Sequence, residues 1–215
     1  MRLLLLARHG ESVFNVDGVV NGDPLLDQGL SPRGIQEGKE LGLQIAGLAI
    51  DLCVVSEFPR AQQTAELALA LRGPPRLVDP GLNDIRIGEL EGQTLADYRQ
   101  WKSGRKREEP FPGGESLDDA ARRYSDAYER VLQRPEHTVF VVCHEIPVRY
   151  AVNTAANSTE LDGPVHDVAH ASPYLFDADG LRRAVDGIRE LISAASEAPA
   201  VPPASNSRHR PLSRS

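Results

Sequence analysis

The stretch Arg2–Ser12, RLLLLARHGES, decides the fold. Its apolar run Leu3–Ala7 has the length of a buried strand and is too short for a membrane span or for the core of a signal peptide. The run ends in Arg8 and His9, two polar residues at the carboxyl end of the predicted strand. The residues that follow the other strands decide whether this strand end belongs to a functional site.

Further strands and helices alternate along the chain. Buried strands are predicted at Asp51–Val55 and Thr138–Cys143, a short strand at Arg76–Val78, and edge strands at Pro173–Asp177 and Leu181–Ile188. Apolar spacing and capping residues predict helices that start at Ser31-Pro32, Pro59 and Ser116, and shorter helices at 95–102 and 147–156. This alternation predicts an α/β fold: a three-layer α/β/α sandwich whose mostly parallel central sheet has helices on both faces.

Composition predicts one globular domain with a terminal tail. The chain has 215 residues, of which 40% are hydrophobic and 26% charged, and residues 1–195 are expected to form the domain. Residues 196–215 are rich in Ala, Pro, Ser and Arg and are predicted to be disordered. The net charge of −7 argues against nucleic-acid binding, and no apolar run reaches membrane-span length. A cytoplasmic location is expected.

The cysteines and histidines give no sign of a metal site. Cys53 and Cys143 lie in strand-like runs, which predicts two reduced, buried thiols, and no cluster has metal-ligand spacing. We therefore expect no metal site. Tyr124 and Tyr128 have core spacing, and the oligomeric state is left open, with a homodimer as one option. Four histidines outside the strand ends are expected at the surface: His137, His166, His170 and His209.

Charged residues follow each of the three predicted buried strands. In chain order they are Arg8 and His9, then Arg60 in the first turn of a helix, then His144 and Glu145. Because ligands bind beyond the carboxyl ends of strands in α/β sheets, these side chains are expected to meet at one edge. Arginine binds phosphate in a planar, bidentate way, and histidine serves as nucleophile or proton donor near neutral pH. The pattern predicts a site for a phosphoryl dianion.

These residues resemble the signature of the histidine phosphatase superfamily, also called phosphoglycerate mutase-like. Arg8–Glu11 together with Asn15 is similar to its RHG motif. The resemblance continues in the family's order through Gly22–Leu25 and Leu30–Gly34, Ser56–Ala65, Leu82–Gly92, Pro112–Ser116 and Val141–His144. An ordered set of this kind is far more specific than a single RHG motif.

The resemblance implies a phosphoryl-transfer activity with a role for each residue. His9 would attack phosphorus and carry the phosphoryl group as phosphohistidine. Arg8, Arg60 and His144 would hold the phosphoryl oxygens, and Asn15 would make a further phosphate contact. The implied partner is a small phosphorylated substrate, and the implied chemistry needs no metal or organic cofactor.

Two departures from the family's pattern leave the proton donor open. The family's acid is usually Glu at the position of Asp84, and aspartate is one methylene shorter. The residue after the second histidine is usually Gly or Ala, but here it is Glu145. In the acid phosphatase and phytase branch an Asp follows that histidine and donates the proton. We favour Asp84 as the general acid and base; Glu145 is either the alternative donor or a carboxylate that only stabilises a helix start.

Residues 92–113 are expected to lie over the phosphate site, as the corresponding insert does in the family. They contain Trp101, Lys102 and the basic run Arg105–Arg107, which either attract a second anionic group or form a solvated loop. Because the mutase insert is longer, an open site that favours hydrolysis is expected. A phosphatase is therefore the first hypothesis. A cofactor-dependent phosphoglycerate mutase is the second, and a non-catalytic phospho-ligand-binding protein is the third.

Overall fold

The computed structural model describes residues 1–70 and 72–197. Its strands are β1 (Leu3–Arg8), β2 (Leu52–Val55), β3 (Arg76–Val78), β4 (Thr138–Cys143) and β5 (Pro173–Asp177). They form one sheet in the order β3-β2-β4-β1-β5. The first four are parallel, and β5 pairs antiparallel with β1 at the edge. The three buried strands are therefore parallel neighbours, as predicted.

Seven α-helices connect and follow these strands within the described residues. They are α1 (Val13–Asp17), α2 (Pro32–Gln44), α3 (Pro59–Ala68), α4 (Leu95–Lys102), α5 (Leu117–Leu132), α6 (Glu145–Ala155) and α7 (Ala178–Glu197). Ser31 and Ser116 cap α2 and α5 with their side chains, which confirms the helix starts predicted from these residues. None of the helices in this part of the chain is both long and apolar enough to cross a membrane.

Alternate side chains of each central strand pack into two separate hydrophobic cores, one on each face of the sheet. In β1, Leu4 and Leu6 pack with α5, α6 and α7, whereas Leu5 and Ala7 pack with α2 and α3. All four side chains are fully buried, because a sheet covered on both faces has no solvent-exposed side. The predicted three-layer sandwich is confirmed.

The predicted edge strand Leu181–Ile188 is wrong, since these residues belong to α7. Two glycines and the turn-like Ala178-Asp179-Gly180 obscured the helical spacing. The buried apolar residues of the segment recur every three or four positions, which is the period of a helix: Leu181, Ala184, Val185, Ile188 and Ile192. The helix ends at Glu197, two residues past the predicted end of the domain at residue 195, and the rest of the tail lies outside the described residues.

Candidate active site

The carboxyl ends of β1, β2 and β4 meet as the sequence predicts. Arg8 at the end of β1 pairs with Cys143 at the end of β4, and β2 pairs with the other side of β4. The His9 amide donates to the Cys143 carbonyl at 3.0 Å, which continues the pairing past β1. As a result, the rings of His9 and His144 are edge to face, with centroids 5.3 Å apart.

The two ring nitrogens of His9 have different surroundings. Nδ1 lies 2.7 Å from the Gly10 carbonyl oxygen, so Nδ1 carries the proton and donates it to that oxygen. Nε2 keeps its lone pair and accepts from Arg60 Nε at 3.1 Å. Burial, reinforced by the charge of Arg60, holds the pKa of His9 well below its usual range. The imidazole is therefore neutral, which is the form in which Nε2 is a nucleophile.

Arg60, in the first turn of α3, connects most of the site. Its guanidinium is almost fully buried and donates to Asn21 Oδ1 at 2.6 Å and to Asp84 Oδ2 at 3.1 Å. It also lies 3.3 Å from Asp27 Oδ1, and the Asp27 side chain is completely buried. Because a carboxylate, an amide and the His9 ring all fix it, Arg60 is oriented before any ligand binds.

His144 is fully buried, with Arg60 and Asp84 beside one ring nitrogen. Nδ1 lies 3.3 Å from Arg60 Nη2 and 3.5 Å from Asp84 Oδ2, while Nε2 lies 2.9 Å from Ser56 Oγ. The Phe58 ring packs edge-on against it with centroids 4.6 Å apart. Burial and the charge of Arg60 hold the pKa of His144 well below its usual range. The neutral ring thus accepts from Arg60 and donates to Ser56.

The guanidinium of Arg8 is only partly used by the protein. Nη1 donates to the Val168 carbonyl at 2.8 Å and pairs with Glu145 Oε2 at 2.8 Å. Nε is buried and has no hydrogen-bond partner within residues 1–70 and 72–197. Burial lowers the pKa of Arg8. Since an unpaired buried N–H is costly, this donor is suited to an anionic ligand.

Asp84 lies in a loop that follows a short 3₁₀ turn, Pro80–Leu82. The backbone of this loop is held from behind by Arg123 of α5. The Arg123 guanidinium donates to the carbonyl oxygens of Gly81, Asn83 and Asp84 at 3.1, 2.9 and 3.2 Å. The carboxylate of Asp84 thus reaches Arg60 and His144 from a backbone that is itself fixed.

Glu145 is the first residue of α6 and lies between two arginines. Oε2 is 2.8 Å from Arg8 Nη1, and Oε1 is 3.3 Å from Arg149 Nη1. Arg149 in turn pairs with Asp162 at 2.8 Å. Both oxygens of Glu145 are engaged by guanidinium groups, so this carboxylate serves as a counter-ion for two arginines.

A cavity of about 440 Å³ opens at these residues. Asn15 lines it at its edge; the Oδ1 atom accepts from the Ser12 amide at 3.0 Å in the cap of α1, and Nδ2 makes no hydrogen bond within the described part of the chain. His144 lies outside the lining. Cavities of this size hold small organic ligands. The predicted site residues that line it are Arg8, His9, Asn15, Arg60, Asp84 and Glu145.

Four residues that complete the site were not predicted from the sequence: Asn21, Asp27, Arg123 and Arg149. Asn21 and Asp27 come from the loop before α2, whereas Arg123 and Arg149 project from helices whose sequence pattern shows only amphipathicity. Their roles depend on contacts between distant segments. The single sequence signal for any of them is an arginine on the otherwise apolar side of a helix, as at Arg149.

His170 is not the surface residue that was expected. It is half-buried, with its ring centroid 5.8 Å from that of His9, and burial lowers its pKa to about 4. His137 and His166 are exposed as predicted, and His209 lies outside the described residues. Tyr124, Tyr128, Cys53 and Cys143 are buried, as predicted. Within the described residues, no three His, Cys, Asp or Glu side chains are grouped as ligands for a metal ion.

Comparisons with known protein families identify the superfamily of this chain. The profile of the histidine phosphatase superfamily (branch 1) matches residues 4–190. The chain belongs to this superfamily. A 2,3-bisphosphoglycerate-dependent phosphoglycerate mutase of Methylobacterium sp. (strain 4-46) is 38% identical to it over 134 residues, 57% of this chain and 64% of that protein. The Brucella ovis protein of the same name is 35% identical over 160 residues, 66% of this chain and 76% of that protein.

Solved structures of the superfamily share the fold of this member. The alpha-ribazole phosphatase from Shigella flexneri superposes with a TM-score of 0.70 at 25% identity, covering 81% of this chain and 90% of that chain. A mycobacterial glucosyl-3-phosphoglycerate phosphatase superposes with a TM-score of 0.66 at 23% identity, covering 81% and 89%, and shows the fold alone. The predicted family is confirmed. Its relatives include both phosphatases and mutases, so the superfamily is one of phosphoryl-transfer enzymes.

Proposed function

We propose that this protein is a metal-independent phosphomonoester hydrolase that acts on a small substrate through a phosphohistidine at His9. The observation that carries this proposal is the neutral His9 ring in the cavity, with the Nε2 lone pair bordered by Arg60. An unprotonated imidazole is a nucleophile, and adjacent guanidinium groups compensate the charge of a phosphoryl group.

In the first step, His9 Nε2 forms a bond to phosphorus while the bond from phosphorus to the ester oxygen breaks. Asp84 gives its proton to the departing oxygen, so that the alcohol leaves neutral. Arg8 and Arg60 hold the phosphoryl oxygens, with Asn15 as a further contact at the edge of the cavity. His144 stays neutral and accepts from Arg60 Nη2 at 3.3 Å, which helps to orient that guanidinium.

In the second step, water replaces the alcohol. Asp84, now ionised, takes a proton from the water. At the same time the water oxygen attacks phosphorus, and the bond from phosphorus to His9 Nε2 breaks. Inorganic phosphate leaves, His9 is again neutral and Asp84 is again protonated. The bond from Nδ1 to the Gly10 carbonyl keeps the ring in one orientation throughout.

The positions of the two carboxylates favour Asp84 over Glu145 as the proton donor. Asp84 Oδ2 is within 3.5 Å of His144 Nδ1 and 3.1 Å of Arg60, the residue that contacts the nucleophile. Both oxygens of Glu145 face guanidinium groups instead. Exchanging a proton at Asp84 disturbs fewer ion pairs than exchanging one at Glu145.

A phosphoglycerate mutase is the second candidate, and the names of the curated relatives favour it. A mutase would transfer the phosphoryl group of His9 back to a phosphoglycerate instead of to water. A phospho-ligand-binding protein without turnover is the third candidate. Phosphoryl transfer from labelled enzyme to 3-phosphoglycerate identifies a mutase, and vanadate binding without turnover identifies a binding protein.

The test is hydrolysis of p-nitrophenyl phosphate in the presence of EDTA by the wild type, His9→Ala and His137→Ala. We expect activity in the wild type, a loss of at least about 10³-fold in His9→Ala because the nucleophile is gone, and no change in His137→Ala, whose exposed ring lies outside the cavity. Rapid quenching and intact mass should detect a phosphorylated wild type. Comparable turnover by His9→Ala would refute the proposal.

A further inference from the structure

Helix α4 presents one stripe of side chains to the cavity that contains Arg8 and His9. Leu95, Tyr98, Arg99 and Lys102 all line this cavity. They occupy positions i, i+3, i+4 and i+7, which share one face of a helix. The stripe changes along its length from an apolar residue at the start of α4 to two cations at its end.

The stripe is held in place on the rest of the protein. Tyr98 and Trp101 stack on the buried ring of Phe111, with centroids 5.5 and 4.3 Å away. At the other end of the helix, Thr94 caps α4, and the Leu95 amide donates to the Gly18 carbonyl at 2.9 Å. Because α4 is anchored at both ends, the backbone positions of its cavity-facing residues are fixed.

The two cations of the stripe are not engaged by the described part of the protein. Arg99 and Lys102 lie one turn apart, an arrangement that costs stability because like charges repel. Neither makes an ion pair or side-chain hydrogen bond within residues 1–70 and 72–197. Lys102 is only half-exposed, and burial lowers its pKa. A half-buried ammonium group without a partner is expected where a ligand supplies the negative charge.

The basic residues just beyond α4 behave differently. Arg105 pairs with Glu109 at 3.2 Å, and Lys106 pairs with Glu108 at 3.4 Å. Arg107 is bound by two carboxylates, Asp118 at 3.0 Å and Asp162 at 2.7 Å, and none of the three lines the cavity. The basic run Arg105–Arg107 is thus neutralised by the protein, whereas Arg99 and Lys102, which line the cavity, have no ion pair within residues 1–70 and 72–197.

Apolar side chains line the cavity together with both groups of cations. They come from four parts of the chain: Phe14, Val19 and Val20; Ile85 and Ile87; Leu95; and Ile146. Such a surface favours the uncharged body of an organic ester over a second charge close to the phosphoryl group. The cavity therefore combines a phosphate end, an apolar wall and an unpaired cationic end.

We propose that Arg99 and Lys102 form a subsite for a second anionic group of the substrate. The substrate is then a phosphomonoester whose leaving alcohol has an apolar body and ends in a carboxylate or a further phosphate. This assignment rests on the proposed phosphate site at Arg8, His9 and Arg60, but not on turnover. It differs from the expectation for the whole segment 92–113, since Arg105–Arg107 take no part.

The test measures binding with phosphonates, which the enzyme cannot hydrolyse. The probes are ω-carboxyalkyl phosphonates with chains of two to six methylenes, each compared with its neutral carboxamide, and the α,ω-bisphosphonates of the same lengths. Calorimetry on the wild type should show an acid-over-amide preference of roughly tenfold at the chain length that spans the cavity. The preference should fall with added salt. The bisphosphonates decide whether carboxylate or phosphate fits better.

The variant that tests the residues is Arg99→Gln/Lys102→Gln, and the control is Lys106→Gln, a neighbouring lysine that has its own carboxylate partner. The double variant should bind acid and amide equally while its affinity for the amides stays within about twofold, and Lys106→Gln should keep the wild-type preference. An acid-to-amide ratio of one at every length in the wild type overturns the proposal. So does a preference that survives in the double variant. Failure of the hydrolase proposal would appear separately, as absent turnover of p-nitrophenyl phosphate with the binding preference intact.

A second inference concerns the loop that carries Asp84. Arg123 binds three carbonyls of this loop, and its Nη2 also donates to Glu115, whose side chain is 4% exposed. Glu115 in turn accepts from the Arg86 amide at 3.0 Å, on the other side of Asp84. The pair thus ties the chain down on both sides of the proposed proton donor. We infer that Arg123 and Glu115 are positioning residues for Asp84.

This inference is tested by the dependence of rate on the leaving group. Arg123→Gln should lower kcat/KM for alkyl phosphates at least tenfold more than for p-nitrophenyl phosphate, because only poor leaving groups need the proton. This ratio does not depend on the fraction of folded enzyme. Arg123→Lys should restore part of it. Arg130→Gln, which breaks a pair with Asp79 at the start of the same loop, should leave the ratio unchanged. An equal loss of kcat/KM for all esters would show that Arg123 only supports the fold and would overturn this inference.

Discussion

Two carboxylates reach the same cavity from regions that are built in different ways. Asp84 projects from an irregular loop whose backbone is held by Arg123, and its carboxylate lies beside Arg60 and the buried His144. Glu145 starts a regular helix and lies between two arginines, one of them Arg8. The side chains are comparably exposed, 22% for Asp84 and 32% for Glu145, so exposure does not distinguish them. What differs is the partner set: Asp84 contacts Arg60 and His144, whereas Glu145 pairs with Arg8 and Arg149.

The largest expected difference between the two regions is in proton donation. Asp84→Asn should lower kcat/KM for alkyl phosphates by about 10²-fold or more, and for p-nitrophenyl phosphate by much less, because nitrophenolate leaves without a proton. The measurement is kcat/KM across esters of graded leaving-group pKa. A uniform loss across the series would show that Asp84 is not the donor.

Glu145→Gln should have a smaller effect that is independent of the leaving group. Glutamine keeps an acceptor for the two arginines but removes the counter-charge, so we expect kcat/KM to fall by less than about tenfold for every ester. The same ester series measures this, with melting temperature as the check on folding. If Glu145→Gln shows the steep leaving-group dependence and Asp84→Asn does not, the roles of the two carboxylates are reversed.

The smallest expected effect is on the free energy of unfolding and concerns His9 and His144, the two buried histidines of the site. His9 and His144 have pKa values well below those of histidine in an unfolded chain, so the unfolded chain binds more protons as the pH falls below about 6.5. The free energy of unfolding should therefore decrease on acidification, by up to about 1.4 kcal/mol per pH unit for each such histidine.

Urea denaturation between pH 7 and 5 measures this slope. His144→Gln should reduce it, whereas the exposed His137→Gln should leave it unchanged. A wild-type stability that does not fall over this range would contradict the neutral state assigned to the buried rings. Because the pKa of His9 is held well below 6.5, the ring is still neutral at pH 6.5. The acidic limb of the pH profile of kcat/KM should therefore lie below that pH.

The parts of the site that sequence predicts are those that the sheet itself positions. Arg8, His9 and His144 follow strands directly, and the alignment of parallel strands brings them together without further information. Asp84 and Glu145 could be named, and Asp84 favoured because of the motif around it, but their partners could not be predicted, because these depend on which arginines reach each carboxylate. Arg123 and Arg149 come from helices, where sequence spacing tells which side is buried but not which loop or carboxylate lies opposite.

The errors have the same origin in tertiary contacts. The glycines of α7 weaken the local helix signal, and the sequence therefore predicts a strand at Leu181–Ile188. In the fold, Gly187 allows close packing on α6, where an added Cβ would lie 3.0 Å from Thr154 Cβ. His170 was placed at the surface because nothing in its neighbourhood in sequence indicates burial. The Ala171 amide donates to the Arg8 carbonyl at 3.0 Å, and this hydrogen bond places the neighbouring His170 beside His9.

The two cysteines are fully buried, and burial raises the pKa of each thiol to about 12. Thiolates are the species that react with maleimides and peroxides, so the native chain should be inert to both. Peroxide treatment should spare its activity. The same inertness provides a silent background for spectroscopy: a single cysteine introduced at the exposed Gln100 of α4 would accept one fluorophore or spin label. Movement of this helix could then be followed during a catalytic cycle without removing either native cysteine.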